Sequence, residues 1–156
     1  GDHRDLPSFP TRRSSDLRTK ARIAALQTLY EVDLTDHLLG SVLADRAIDN
    51  DLDEAQYNFA QLIAQGVYEN RERLDELIAA HAPEWPLDQV AVIDRNILRI
   101  SLWEVAFYRK TPLKVGINEA VELAKSFGTD SSPRFINGVL GSLAENFDAL
   151  LKSIPK

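Results

Sequence analysis

The 156-residue chain carries 18 Lys+Arg against 24 Asp+Glu, a net charge of −6, with 44% apolar and 27% charged residues and neither cysteine nor methionine. This is ordinary globular composition rather than the signature of disorder, and zero cysteines exclude a disulfide scaffold, a thiolate zinc site, an iron–sulfur cluster and a cysteine nucleophile. No apolar run approaches the roughly 20 residues that span a bilayer, no basic-then-apolar leader points to export, a cytoplasmic location is expected, and a net negative chain does not advertise nucleic-acid binding.

Residues 1–17 hold two prolines and show neither helical nor strand periodicity. The stretch 8–17 matches the translation of a common short-read sequencing adapter, so 1–17 is expected to be a non-native tail, to be set aside in fold reasoning. Its three arginines and three aspartates cancel, and the residues after it keep the full −6.

From Arg18 the apolar period becomes 3.6. Ala21, Ala25, Leu29 and Val32, widened by Leu26 and Tyr30, predict a helix over 18–34, with Arg18 and Arg22 one turn apart on its flank. Gly40 is expected to stop it and Ser41 to cap a short helix over 41–49. Asn50 or Asp51 then caps a long helix to about residue 80, with a stripe of Ala55, Phe59, Leu62, Ile63, Gly66, Val67, Leu74, Leu77 and Ile78. Gly66 costs about 1 kcal/mol against alanine there unless a neighbouring element needs close approach.

Two prolines in 81–86 break the helix and mark a subdomain boundary. The next helix, 87–109, is apolar over most of its circumference and is expected to be central and buried. Thr111-Pro112 reads as a cap followed by proline at the first helical position, opening a helix that Gly128 ends. Ser132-Pro133 repeats the signal and opens a last helix with Phe135, Val139, Leu143, Phe147 and Leu150 or Leu151 on its stripe. The reading is all-α, with an amino-terminal subdomain over 18–80 and a carboxy-terminal one over 81–156.

No chemistry of an enzyme emerges. His3, His37 and His81 have no metal-ligand spacing, so no metal site or cofactor is expected. There is no nucleophile elbow, and the glycines of 138–141 sit in an apolar helical pattern that suits helix packing better than phosphate binding. Asn118 and Asn137 lie among apolar or small residues and are read as capping a loop or as buried hydrogen-bonding groups that tie helices together. Arg18, Lys20 and Arg22 stand at a helix start, where the macrodipole disfavours cations. Phosphate contact would account for them, and so would a solvated basic face. Lys125, Arg134 and Phe135 form a second basic–aromatic group around the last interhelix loop, where an exposed ring could stack an unpaired base. Periodicity equally allows Phe135 in the core.

Four strings carry a resemblance: KARIAALQTLY at 20–30, ILRISLWE at 97–104, TPLKVGINEAVELAKSFG at 111–128 and RFINGVL at 134–140. Together they closely resemble the bacterial NusB antitermination family, in the right order over about 18–151. The resemblance implies a NusB-like fold of two packed three-helix subdomains and a non-enzymatic role. It implies binding of boxA RNA of ribosomal RNA operons together with NusE, a small-subunit ribosomal protein, within an RNA polymerase antitermination complex. Carried over residue by residue, it assigns RNA binding to Arg18, Lys20, Arg22, Tyr30, Arg134 and Phe135, and contact with NusE to Asp94. The chain departs from the family at Thr19 and lacks the denser arginine run usual just upstream. Two further readings stand beside it: a NusB-like domain cut from a ribosomal RNA cytosine methyltransferase, and a helical scaffold that homodimerises.

Overall fold

The computed structural model describes residues 14–155, and every regular element among them is helical. The chain forms two compact units, one ending at Gln65 and the other beginning at Gly66. The division falls inside a helix rather than at the proline break of 81–86, because the helix before those prolines packs with the carboxy-terminal elements.

The first unit begins with α1 (Ser14–Leu34). Residues 14–17 of the adapter-like segment are its first turn, and the Leu17 carbonyl accepts a hydrogen bond from Gln56 Nε2 at 3.0 Å. The remainder of that segment lies outside the described residues. Ala21, Ile23, Ala24, Ala25, Leu26 and Leu29 are buried. Small residues on this helix let α2 (Leu39–Asp49) approach, which buries Val42, Leu43 and Ala47. Gly40 and Ser41 lie inside α2 rather than before it, since α1 has already ended at Leu34.

Asp51 is not the cap of the next helix. It closes α2 in the left-handed region (φ 53°), with its N–H bonded to the Ile48 carbonyl and the Leu52 N–H to the Ala47 carbonyl. These are the paired bonds of a Schellman end, with aspartate where glycine is usual. The cap of α3 (Glu54–Glu69) is Asp53, whose Oδ1 accepts the Gln56 N–H at 2.8 Å while Gln56 Oε1 accepts the Asp53 N–H at 2.9 Å. This reciprocal pair satisfies two donors that a helix start leaves open. The inward face of α3 carries Gln56, Phe59, Ala60, Ile63, Ala64 and Val67, while Ala55 and Leu62, expected on the stripe, are exposed.

The second unit contains the end of α3 and α4 (Arg71–His81), so the long helix expected to reach residue 80 is two helices. Asn70 interrupts it, its side chain and backbone both bonding back to the Gly66 carbonyl. A 3₁₀ turn (Leu87–Gln89) precedes α5 (Val92–Leu102), which therefore starts later than expected. From Asn96 to Leu102 every residue of α5 is buried, as its apolar circumference predicts. It runs into a π-helical turn (Trp103–Tyr108) that ends at Arg109. Arg99 bridges back to α4, with Nε and a terminal nitrogen donating to the two Asp75 oxygens at 2.8 and 2.7 Å.

Pro112 is the cap position of α6 (Leu113–Phe127), and the Thr111 hydroxyl turns inward to donate to buried Glu104 at 2.8 Å. Gly128 ends α6 as expected. α7 (Ser132–Glu145) follows Ser131, one residue before the expected cap, and Asn146 separates it from α8 (Phe147–Lys152). Asn118 and Asn137 are exposed rather than buried. Gly138 does serve packing: a Cβ there would lie 2.8 Å from the Trp85 ring.

Candidate nucleic-acid interface

In the first unit, α1 and α3 enclose an open groove of about 290 Å³ lined by Leu17, Arg18, Ala21, Asp53, Ala55, Gln56 and Phe59. The i,i+4 spacing of Arg18 and Arg22 brings both guanidinium groups to one ring, their central carbons 4.5 and 5.6 Å from the Phe59 centroid. The two arginines differ in access. Arg18 is exposed, whereas Arg22 is 4% exposed. Lys20 is half-buried, and its ammonium donates to the Asp51 carbonyl at 3.3 Å. The expected cationic trio is thus two outward cations and one guanidinium folded into the packing. Tyr30 lies further along α1, 41% exposed and outside the groove.

The second unit has a groove of about 470 Å³ between the 85–91 segment, the start of α5 and the start of α7. Arg134, Phe135 and Asp94 all line it, so three residues far apart in sequence share one site. Phe135 is half-buried and meets Trp85 edge to face, 5.5 Å between centroids. Arg134 is exposed at the rim. Ser131, Gln89 and Trp85 also line the groove and were not singled out from sequence. A tryptophan between two prolines was the available signal, since the prolines break the α-helix there and leave the segment to turns.

Lys125 does not join this group; it is exposed but paired with Glu122 at 3.0 Å and lies outside the groove. Asp94 is 8% exposed. Its Oδ2 accepts the Ser132 hydroxyl at 3.0 Å, while Oδ1 finds no hydrogen-bond partner among the described residues. Burial pushes the carboxyl above the ordinary value of 3.8, and the Ser132 bond opposes part of that rise.

Among the described residues, no three His, Asp or Glu side chains are grouped to hold a metal ion, and no helix is long and apolar enough to cross a membrane. The first groove offers an exposed cation, its Phe59 ring being buried under the two guanidinium groups, and the second offers an exposed cation together with half-buried aromatic rings. Such a pair suits a polyanion with flat bases better than it suits bond-making chemistry.

A family model described as the NusB family matches residues 19–145. The transcription antitermination protein NusB of Chloroflexus aggregans is 44% identical over 137 residues, 86% of this chain and 91% of that protein. Its namesake from Bacillus subtilis is 39% identical over 132 residues, 84% of this chain and 97% of that protein. The solved structure of T. maritima NusB has a TM-score of 0.72 at 30% identity, covering 92% of this chain and 93% of that one. The crystal structure of antitermination factors NusB and NusE in complex with dsRNA shares the fold, with a TM-score of 0.73 at 23% identity and coverage of 89% and 98%. The family match spans most of the chain and includes the whole of the second groove and all of the first except Leu17 and Arg18, and the chain belongs to the NusB family.

Proposed function

We propose that the protein is a transcription antitermination factor that binds boxA RNA of ribosomal RNA operons together with NusE and joins the RNA polymerase antitermination complex in the cytoplasm. The observation that carries this reading is the groove of the second unit, which Arg134 and the Trp85–Phe135 pair line together. The cation supplies phosphate affinity that falls with salt. The rings supply a face for an unpaired base, worth about 1–3 kcal/mol by alanine substitution. Arg18 and Lys20 extend the phosphate contacts on the first unit, and Tyr30 adds an exposed ring on the same helix. The antitermination role in the relatives' names and the solved NusB–NusE complex with dsRNA support the same assignment.

The test is a titration of boxA RNA in the presence of NusE at several salt concentrations. Arg134→Ala and Arg18→Ala each weaken binding and lower the slope of log K against log salt by about 0.7. Phe135→Ala weakens binding with the slope unchanged. Arg22→Ala lowers the melting temperature and leaves the slope alone, because its guanidinium is packed against Phe59. Unchanged slopes in both Arg134→Ala and Arg18→Ala would remove the reading.

A further inference from the structure

Three exposed cations gather between the end of the π-helical turn and the first turn of α6: Arg109 and Lys110 stand at a helix C-terminus, where the macrodipole favours them, and Lys114 at a helix start, where it does not. Arg109 sits in the left-handed region (φ 64°), which costs a non-glycine residue about 1–2 kcal/mol. The π-helical turn holds it there, through its N–H on the Glu104 carbonyl at 2.9 Å and its Nε on the Ala106 carbonyl at 2.6 Å. Lys110 places its ammonium 5.5 Å from the Tyr108 ring centre, and that ring is stacked on Trp103. Lys114 stands in the first turn of α6, where the macrodipole opposes a cation and no acidic residue compensates.

All three are exposed, and among the described residues none has a carboxylate within ion-pair distance. The nearby acid, Glu104, is buried at 2% exposure and accepts from Thr111. A chain of net charge −6 thus holds three unneutralised cations within one short turn.

We propose that Arg109, Lys110 and Lys114 form a second contact for the RNA backbone, reached by the strand that leaves the Arg134–Phe135 groove. This rests on the RNA-binding reading above. The two places lie at opposite ends of α6, whose 15 residues span about 22 Å. Between them the exposed side chains Lys114, Asn118, Glu122 and Lys125 follow one another at helical spacing, and the one acid among them is already paired with Lys125. A single strand stacked at about 3.4 Å per nucleotide covers that length in about six nucleotides.

The experiment compares a short boxA RNA with the same RNA lengthened at either end by unstructured nucleotides in steps of about three, bound to the full chain with NusE. Lengthening past about six nucleotides tightens binding to the wild type and steepens its salt slope by about 2, the value for three phosphates on a single strand. The advantage then shrinks about sixteenfold between about 50 and 200 mM salt. The triple variant Arg109→Ala, Lys110→Ala, Lys114→Ala binds the short RNA as the wild type does and gains nothing from length.

Lys110→Gln with Lys114→Gln keeps the Arg109 turn intact and loses most of the gain, which guards against a folding defect. Two outcomes overturn the proposal: a wild type indifferent to length, and a triple variant that gains as much as the wild type. The latter holds even if that variant loses an acidic protein partner instead. Failure of the wild type to bind the short RNA overturns the RNA-binding reading itself, which the short arm measures separately.

Discussion

Asp94 shows how a side chain picked out through a resemblance can have a setting that the sequence does not display. Its position in the resemblance implies a contact with NusE; it is buried and lines a groove, with one oxygen bonded to Ser132 and the other without a hydrogen-bond partner among the described residues. A buried carboxylate lacking full hydrogen bonding is destabilising when charged. Its raised value means the folded state holds the proton more tightly than the unfolded state. Asp94 therefore weakens the fold progressively as pH rises from 3.8 through its folded-state value, and stability recovers on acidification. Asp94→Asn keeps an oxygen for the Ser132 hydroxyl and carries no charge. Its urea midpoint relative to wild type should be higher at pH 7 than at pH 4. An equal difference at the two values would show that the carboxyl is not strained. Sequence could not reveal this, because the burial of Asp94 depends on Ser132, 38 positions away.

At the scale of elements, periodicity located the helices better than it divided them. The apolar stripe runs on from α3 to α4 and from α7 to α8, so nothing in it marks a stop. What stops the helices is asparagine. Asn50, Asn70 and Asn146 each turn their amide back to the carbonyl four residues earlier, at 2.8, 2.7 and 3.2 Å, and each sits where one helix ends. An asparagine amide competing for a backbone carbonyl is a local signal, and it carries more here than glycine does, since Gly40 lies inside α2. The Asp53–Gln56 box carries a local signal of the same kind, an acid followed three residues on by glutamine before an apolar run, which the expectation of a cap at Asn50 or Asp51 passed over.

Helix crossings were partly legible too. Gly66 stands in an apolar stripe, and a Cβ there would lie 2.4 Å from the Trp103 ring, so the π-helical turn and α3 meet at a distance only glycine permits. Gly66→Ala should destabilise by about 1–3 kcal/mol. Gly141, on α7, has open space around it, and Gly141→Ala should be neutral or stabilise by up to about 1 kcal/mol. Urea unfolding of both variants checks the pair. Equal effects would mean that the Trp103 contact is readily relieved.

At the scale of the whole molecule, the net charge of −6 was a poor guide because charge is unevenly placed. Arg18, Lys20 and Arg22 stand together at the head of α1, leaving residues 23–156 with an excess of nine acidic charges. Burial of Arg22 thins the usable positive charge further. A body of this sign repels RNA beyond its few basic places, and at about 0.15 M salt that repulsion is screened over about 8 Å without vanishing. The acidic excess suits a cationic protein partner, and a partner that covers acidic surface while adding cations changes both terms of RNA binding. NusE should therefore tighten boxA binding and steepen its salt dependence, since more phosphates are neutralised in the joint surface. Titrations with and without NusE across a salt series read both quantities. A tighter complex with an unchanged slope would mean that NusE acts by ordering the protein. Equal affinity in its presence and absence would show that this chain carries the RNA site alone, and the acidic surface would then need another explanation.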